Sequence, residues 1–306
     1  MRPVQLKKFT ALEYLIRTHM SYYLRLFSIS IFLLMGLAAS AAAAEKGKRR
    51  MRLAVDVRYY YGSWRWGDFK MTPRAGLAGP DMRLELLDGL WTVGTSYLSG
   101  NFSASGATAL DDPRFHSRKN FDIEDNREEF EISLEFRPID LAGFVLLYRL
   151  GQYDLNAAVD LNSDQRLYGS GSEEALNETR GWGIGLRPRI PLGDRLALRG
   201  EFIYFPFLKA EGAGTHQYTM LYDDNRLDER WFGRDDLRGF KLRGELTYVL
   251  PSIPISLAVG YFYQRLVDRD PATDSWLEDY LASQTQTRSW LEDRFQGLTA
   301  RAGFVF

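Results

Sequence analysis

The chain has 306 residues, of which 45% are hydrophobic, 14% aromatic and 26% charged, with a formal charge of −1 and no cysteine. The hydrophobic content excludes a disordered chain, and the lack of thiols excludes a disulfide scaffold, thiolate zinc sites and cysteine nucleophiles. The near-neutral charge leaves no nucleic-acid footprint. Past the N-terminal region there is no run of about 20 apolar residues of the kind a helical membrane bundle repeats.

Residues 1–44 read as a targeting segment. Arg25 precedes the largely apolar run Leu26 to Leu37, and the small residues Ala38-Ala39-Ser40 and Ala41 to Ala44 follow. A positive start, a short apolar run and an A-x-A site make a secretory signal, with cleavage expected after Ala44 and Met20 as an alternative start. The run is short for a membrane anchor, and Glu45-Lys46-Gly47-Lys48-Arg49-Arg50 follows it directly, so 45–50 is expected to be a short periplasmic segment. Removing 1–44 takes the formal charge from −1 to −5. An exported chain without cysteine suits the bacterial envelope.

From Met51 onward, apolar and polar residues alternate with period two, the pattern of strands with two different faces. Leu53, Val55, Val57, Tyr59 and Tyr61 oppose Arg52, Asp56 and Arg58. Phe130, Ile132, Leu134 and Phe136 oppose Glu129, Glu131, Ser133 and Glu135, and Leu242, Leu246 and Tyr248 oppose Lys241, Arg243 and Glu245. The last segment is the clearest: Leu298, Ala300, Ala302, Phe304 and Phe306 share one face, and Thr299, Arg301 and Gly303 the other. Strands are predicted at 51–62, 80–87, 90–101, 127–137, 142–152, 181–190, 195–206, 239–250, 255–267 and 294–306. Asp88-Gly89, Pro138–Leu141, Pro191–Asp194 and Pro251–Pro254 read as tight turns, while 63–79, 102–126, 153–180, 207–238 and 268–293 are long connections. Pro188 removes a ladder donor inside the sixth strand and predicts a bulge or an earlier strand end.

Short and long connections in strict alternation distinguish two all-β architectures. A soluble sandwich has no reason to put its long loops at one end. A transmembrane up-and-down antiparallel β-barrel over 51–306, with ten strands, short periplasmic turns and five long extracellular loops, requires that arrangement. Its apolar face would meet lipid and its charged face the lumen, with no sheet edge left open. Tyr59, Tyr61, Trp182, Phe202, Tyr204, Tyr261 and Tyr263 then form an aromatic girdle near the outer strand ends, and Phe136 and Phe306 lie near the inner ends.

The final stretch Gly297 to Phe306, with Phe304 and the terminal Phe306 in phase, resembles the assembly signal of bacterial outer-membrane barrels. That resemblance implies a Gram-negative outer membrane, with outer-membrane lipid, periplasmic chaperones and the barrel-assembly machinery as partners. It implies a monomer without a cofactor, and the sequence names no extracellular partner.

Glu129, Glu131, Glu135, Arg187, Arg189, Arg195, Arg199, Glu201, Lys241, Arg243, Glu245 and Arg301 all fall in the inward phase. Two readings follow. A ten-stranded interior is just wide enough to be filled by side chains, and buried charge is costly unless compensated, so the charges can be a mutually paired plug. Alternatively they line a narrow, charge-selective, porin-like channel.

A third reading comes from resemblance to the omptin proteases, ten-stranded barrels with Asp pairs and an Asp–His pair on opposing loops. Here Asp111-Asp112 and His116 fall in the second long connection and His216 in the fourth. The omptin spacing is missing: Gly214-Thr215 precede His216, and Asp111 and Asp112 are adjacent, so alternation points them apart. No catalytic residue is assigned. Ser275-Trp-Leu-Glu-Asp279 recurs as Ser289-Trp-Leu-Glu-Asp293 in the fifth connection, where the tryptophans could form a partner surface. The acids around Trp231-Phe232 lack the ordered spacing of a calcium loop. Gly181-x-Gly183-x-Gly185 precedes no helix, so it is read as strand glycine and not as a nucleotide site.

Overall fold

The structure, a computed structural model, describes the backbone of residues 51–66, 69–73, 76–112, 115–163, 169–220, 226–268 and 292–306. Side chains are described for 51–65, 76–104, 122–154, 156, 176–212, 236–267 and 292–306. The targeting segment 1–44 and the segment 45–50 lie outside the described residues.

Every described element is a strand: β1 (Met51–Trp66), β2 (Phe69–Pro73), β3 (Leu77–Leu86), β4 (Trp91–Asp112), β5 (Phe115–Ile139), β6 (Ala142–Ser163), β7 (Gly169–Pro191), β8 (Leu196–Met220), β9 (Arg226–Val249), β10 (Ile255–Asp268) and β11 (Glu292–Val305). Apart from β2 and β3, which do not pair with each other, each strand pairs antiparallel with its sequence neighbour, and β11 pairs with β1, so the sheet closes. Short β2 continues the line of β3: both pair with β1 and β4, leaving ten strands around the wall. The last residue helps close the barrel, because Phe306 N–H donates to Leu53 O at 2.8 Å and Leu53 N–H donates to Phe306 O at 3.2 Å.

The four predicted tight turns all join neighbouring strands at one end of the barrel, the turn end. At the first of them Leu87, Asp88 and Gly89 take left-handed φ values of 52°, 58° and 89°, which a tight reversal between right-twisted strands needs. The strand ends away from the turns differ from expectation. Most of connections 102–126, 153–180 and 207–238 is strand, not loop. β4 to β9 run 22 to 25 residues each, about twice the 9–11 residues that cross a bilayer. They stay paired to one another nearly to their tips, from Asp112↔Phe115 to Thr219↔Arg226. A six-stranded flange therefore rises over one side of the barrel, while β10 and β11 are only 14 residues long. The extension was hidden because these stretches lack a sustained apolar–polar alternation, and ladder hydrogen bonds hold a hairpin without one.

Pro188 breaks neither strand nor register: Leu186↔Phe202 and Arg189↔Arg199 lie on one continuous register. Its ring lies over Gly200, where an added Cβ would come within 2.8 Å of the proline Cγ. The bulge falls elsewhere, at Pro206 of β8, where the register with both β7 and β9 slips by one residue. This proline bulge reverses the alternation, so that Phe205 and Leu208 both point inward while Phe207 points out.

The inward–outward reading holds along most of the wall. Val57, Ile184, Val259 and Leu298 are 56–63% exposed on the outer face, and the girdle residues Tyr59, Tyr61, Trp182, Phe202, Tyr204 and Tyr261 are exposed with them. Phe130, Met82 and Leu84 take the outward phase but are buried. Arg195 is also corrected: it sits exposed in the turn before β8, not in the lumen.

The seam between β1 and β11 is tightest at Gly62↔Gly297. A Cβ on Gly297 would lie 2.2 Å from the Tyr61 carbonyl oxygen and 2.4 Å from Gly62 Cα. Backbone cannot yield there without opening the ladder. Gly297→Val should therefore abolish the compact, heat-modifiable band of the folded barrel in cold SDS electrophoresis, whereas substitution at Gly89, where a Cβ meets nothing within 4 Å, should leave a folded band.

Candidate functional site: a filled lumen

Inward side chains fill the barrel in three sections. Nearest the hairpin end is an aromatic layer around one buried anion. Asp293, fully buried, accepts from Trp64 Nε1 at 2.8 Å, Tyr153 OH at 3.1 Å, Gln264 Nε2 at 3.1 Å and Arg127 Nη1 at 3.0 Å. Arg127 also donates through Nε to Glu129 at 2.7 Å. Its guanidinium carbon lies 4.7–5.0 Å from the ring centroids of Phe295, Trp64 and Tyr153, within cation–π range. Arg149 bridges Glu129, at 2.9 Å, and Gln264. Tyr60, Phe102, Phe262 and Phe295 pack edge-to-face around this layer. A second apolar cluster, including Leu147, Ile203, Phe205 and Leu208, fills the β6–β10 side.

Below it the charges pair as the plug reading expects. Glu201 is the hub: Arg187 Nε approaches at 2.7 Å, Arg243 Nη2 at 3.2 Å and Lys241 Nζ at 3.4 Å. Lys241 also holds Glu131 at 2.6 Å, and Arg187 reaches Glu135 at 3.4 Å. Arg243 donates to Tyr60 OH at 3.0 Å and joins Glu245 at 3.5 Å, tying this section to the aromatic layer. Toward the turns, Asp56 bonds Arg83 and, at 2.9 Å, Arg301, while Arg58 pairs with Asp81. Arg301 reaches Glu245 at 3.5 Å.

Of the twelve expected lumen charges, eight join one network, Glu131, Glu135, Arg187, Glu201, Lys241, Arg243, Glu245 and Arg301, and Glu129 pairs with Arg127 and Arg149 in the aromatic layer. Arg189 and Arg199 join neither. They point inward near the turn end, face each other across the β7–β8 ladder, and form no ion pair among the described residues.

Alternation alone missed several members. Asp56, Arg58 and Arg127 were in the inward phase and could have been added on that ground. Arg149 was obscured because its inward neighbours Val145 and Leu147 are apolar. Asp293 was read as the end of the second Ser-Trp-Leu-Glu-Asp copy in a loop; the structure instead makes it the anion at the centre of the aromatic layer. The tryptophans of both copies lie outside the described residues. Asp111 pairs with His116 across the β4–β5 ladder, and His216 lies between Glu173 and Glu229 on adjacent strands; these side chains, and those around Trp231, lie outside the described residues. The described residues contain no group of three or more candidate metal ligands.

At the hairpin-end mouth, past the predicted spanning stretches 127–137 and 142–152, Asp125 and Asp154 lie on β5 and β6. Asp125 is 4% exposed, and its Oδ1 has no hydrogen-bond donor among the described residues. Burial pushes its carboxyl up to about 8, Arg127 opposing and Asp154 reinforcing the shift. Burial also raises Asp154.

Two outcomes follow from this geometry. Removing the Glu201 charge takes a carboxylate from three buried cations at once and leaves Arg187, Lys241 and Arg243 one acidic partner each, Glu135, Glu131 and Glu245, so Glu201→Gln should destabilise the barrel by about 3–5 kcal/mol, as breaking a buried ion pair does. Glu131→Ala should cost less, because Lys241 keeps Glu201; chemical unfolding of the two variants reads the difference. For Asp125 the native pKa exceeds the unfolded value, so the stability linked to its protonation is complete below about pH 4 and lost as pH rises through about 8. Asp125→Asn should therefore melt above wild type at pH 9 and with it at pH 4.

No family model matches the chain, and no curated protein matches it. Solved structures similar to it include the outer membrane protease OmpT from Escherichia coli, with 12% identity over 84% of this chain and 94% of that one and a TM-score of 0.49. The translocator domain of the autotransporter NalP from Neisseria meningitidis matches at 12% identity over 90% and 95% of the two chains, with a TM-score of 0.38. The toluene transporter TodX from P. putida matches at 11% identity over 83% and 89%, with a TM-score of 0.36. The likeness is one of barrel architecture; this chain is an all-antiparallel, ten-stranded closed β-barrel.

Proposed function

We propose that the protein is an outer-membrane barrel of a Gram-negative bacterium whose lumen is closed by its own side chains. Its specific interactions are then carried by the flange of β4 to β9 and not by passage through the barrel. The observation behind this reading is the inversion of burial. Apolar side chains are spread over the outer wall, where only lipid or detergent stabilises them, while carboxylates and guanidiniums are buried and paired inside. The section around Asp293 supports closure: Trp64, Arg127, Arg149 and Tyr153 are each no more than 1% exposed and occupy the barrel's cross-section. A ring of charge that filters ions needs a water-filled path beside it, and these side chains take that space. The signal-like segment 1–44 and the terminal Phe306 are consistent with export and assembly into that membrane.

The test is conductance of the refolded mature chain in a planar bilayer. Wild type should show no steady current, and loosening the plug at Glu201 should produce irregular openings. A steady, ion-selective current through wild type would replace this reading with the narrow channel. Surface proteolysis lost on His216→Ala would replace it with the omptin-type hydrolase.

A further inference from the structure

The pairing that closes the lumen fails at the turn end. A crevice of about 60 Å³ opens there, lined by seven arginines, Arg83, Arg137, Arg189 and Arg199 among them, and by four carboxylates, Asp81, Glu131, Glu135 and Glu245. Arg137 and Arg187 share Glu135, and Arg83 is engaged by Asp56 and Asp81. Arg189 and Arg199 have no carboxylate. They stand directly opposite each other on β7 and β8, an arrangement of like charges that destabilises a ladder unless something neutralises it. The nearest acid to Arg199 by register is Glu245 on β9, but that carboxylate is turned toward Arg301 and Arg243.

A second, independent feature is an excess of donors. The Nε–H groups of Arg58, Arg83, Arg137 and Arg199 are buried and have no hydrogen-bond acceptor among the described residues, and all four arginines line this crevice. Gly94 keeps the wall open: a Cβ there would come within 2.7 Å of Ser133 Oγ and 3.6 Å of Arg83 Cγ. A cavity with room for water, where Arg189 and Arg199 lack a carboxylate and the paired Arg58, Arg83 and Arg137 each keep a spare buried N–H, has the chemistry of an oxyanion site.

We propose that the turn-end mouth binds a phosphate group, held chiefly by Arg189 and Arg199 with help from Arg83 and Arg137. The chemistry is shared by free inorganic phosphate and by a phospholipid headgroup at the membrane surface beside the turns. The site does not depend on whether the lumen conducts, so conductance and phosphate binding can fail separately.

The experiment uses the refolded mature barrel in zwitterionic detergent and phosphate-free buffer. Inorganic phosphate is titrated against thermal unfolding and by calorimetry, with chloride at matched ionic strength as control. Wild type should bind phosphate saturably and melt higher with it. Arg189→Gln with Arg199→Gln should weaken binding about tenfold or more, as loss of charge-assisted hydrogen bonds does. Arg199→Glu supplies an anion in place of a ligand, so it should fold in phosphate-free buffer and give no phosphate shift. This single variant decides the matter if the double variant fails to refold. Binding of dihexanoyl-phosphatidylglycerol, but not of inorganic phosphate, with the same dependence on Arg199 would identify the headgroup as the source. Absence of both, or a phosphate response unchanged in Arg199→Glu, would overturn the proposal.

Discussion

The structure depends on backbone hydrogen bonding around a closed ring. Lipid cannot satisfy an exposed N–H or C=O, so a sheet crossing a bilayer must have no edge. In this chain closure is made by β11 on β1, from Ala54↔Val305 to Trp66↔Asp293, and the last two hydrogen bonds of the seam belong to Phe306 itself. Once the ring is closed, period two becomes inside and outside. Every alternate side chain lies on the outer wall, and every other one must fit a space of fixed width.

That fixed width explains the lumen. Ten strands leave too little room for a wide aqueous channel and too much for small residues alone, so long side chains interdigitate across it. Arginine dominates because its planar fork can serve two or three acceptors at once, as Arg127 does between Glu129 and Asp293, and Arg187 between Glu201 and Glu135. Buried ion pairs seldom exceed a well-packed apolar core in stability, but each is costly to break singly. The network is therefore better understood as fixing which strands face each other than as the source of stability. Glu201 on β8 joins β7 and β9, Asp56 on β1 joins β3 and β11, and Asp293 on β11 joins β5 and β6 across the barrel.

The two ends of the barrel are then different environments. At the hairpin end, the aromatic layer, the buried carboxyl of Asp125 and the half-buried one of Asp154 lie beneath the flange of β4 to β9. At the turn end, the ion pairs run out before the arginines do. Both departures from neutral, satisfied packing occur where the lumen meets solvent, where a ligand or water can complete what the protein leaves open.

Much of this was determined by the sequence alone. Strict alternation in segments such as 51–62, 239–250 and 294–306 specified strands, their faces and the side on which charge would lie, because a period of two allows only two orientations. The Asp-Gly and proline turns placed the four tight reversals, and the inward phase picked out Glu201, Lys241 and Arg243 as lumen residues. Pairing between them was decided only in three dimensions. Which cation meets which carboxylate depends on strand stagger and on side chains reaching across the barrel, as Arg127 does to Asp293, 166 positions away. The flange was likewise invisible, since strands held by ladder hydrogen bonds need no sustained apolar–polar alternation. The Pro206 bulge reversed a phase that alternation would have carried through. Arg189 and Arg199 looked like members of a balanced set until the fold placed them beside each other, because a charge count along a chain contains no distances.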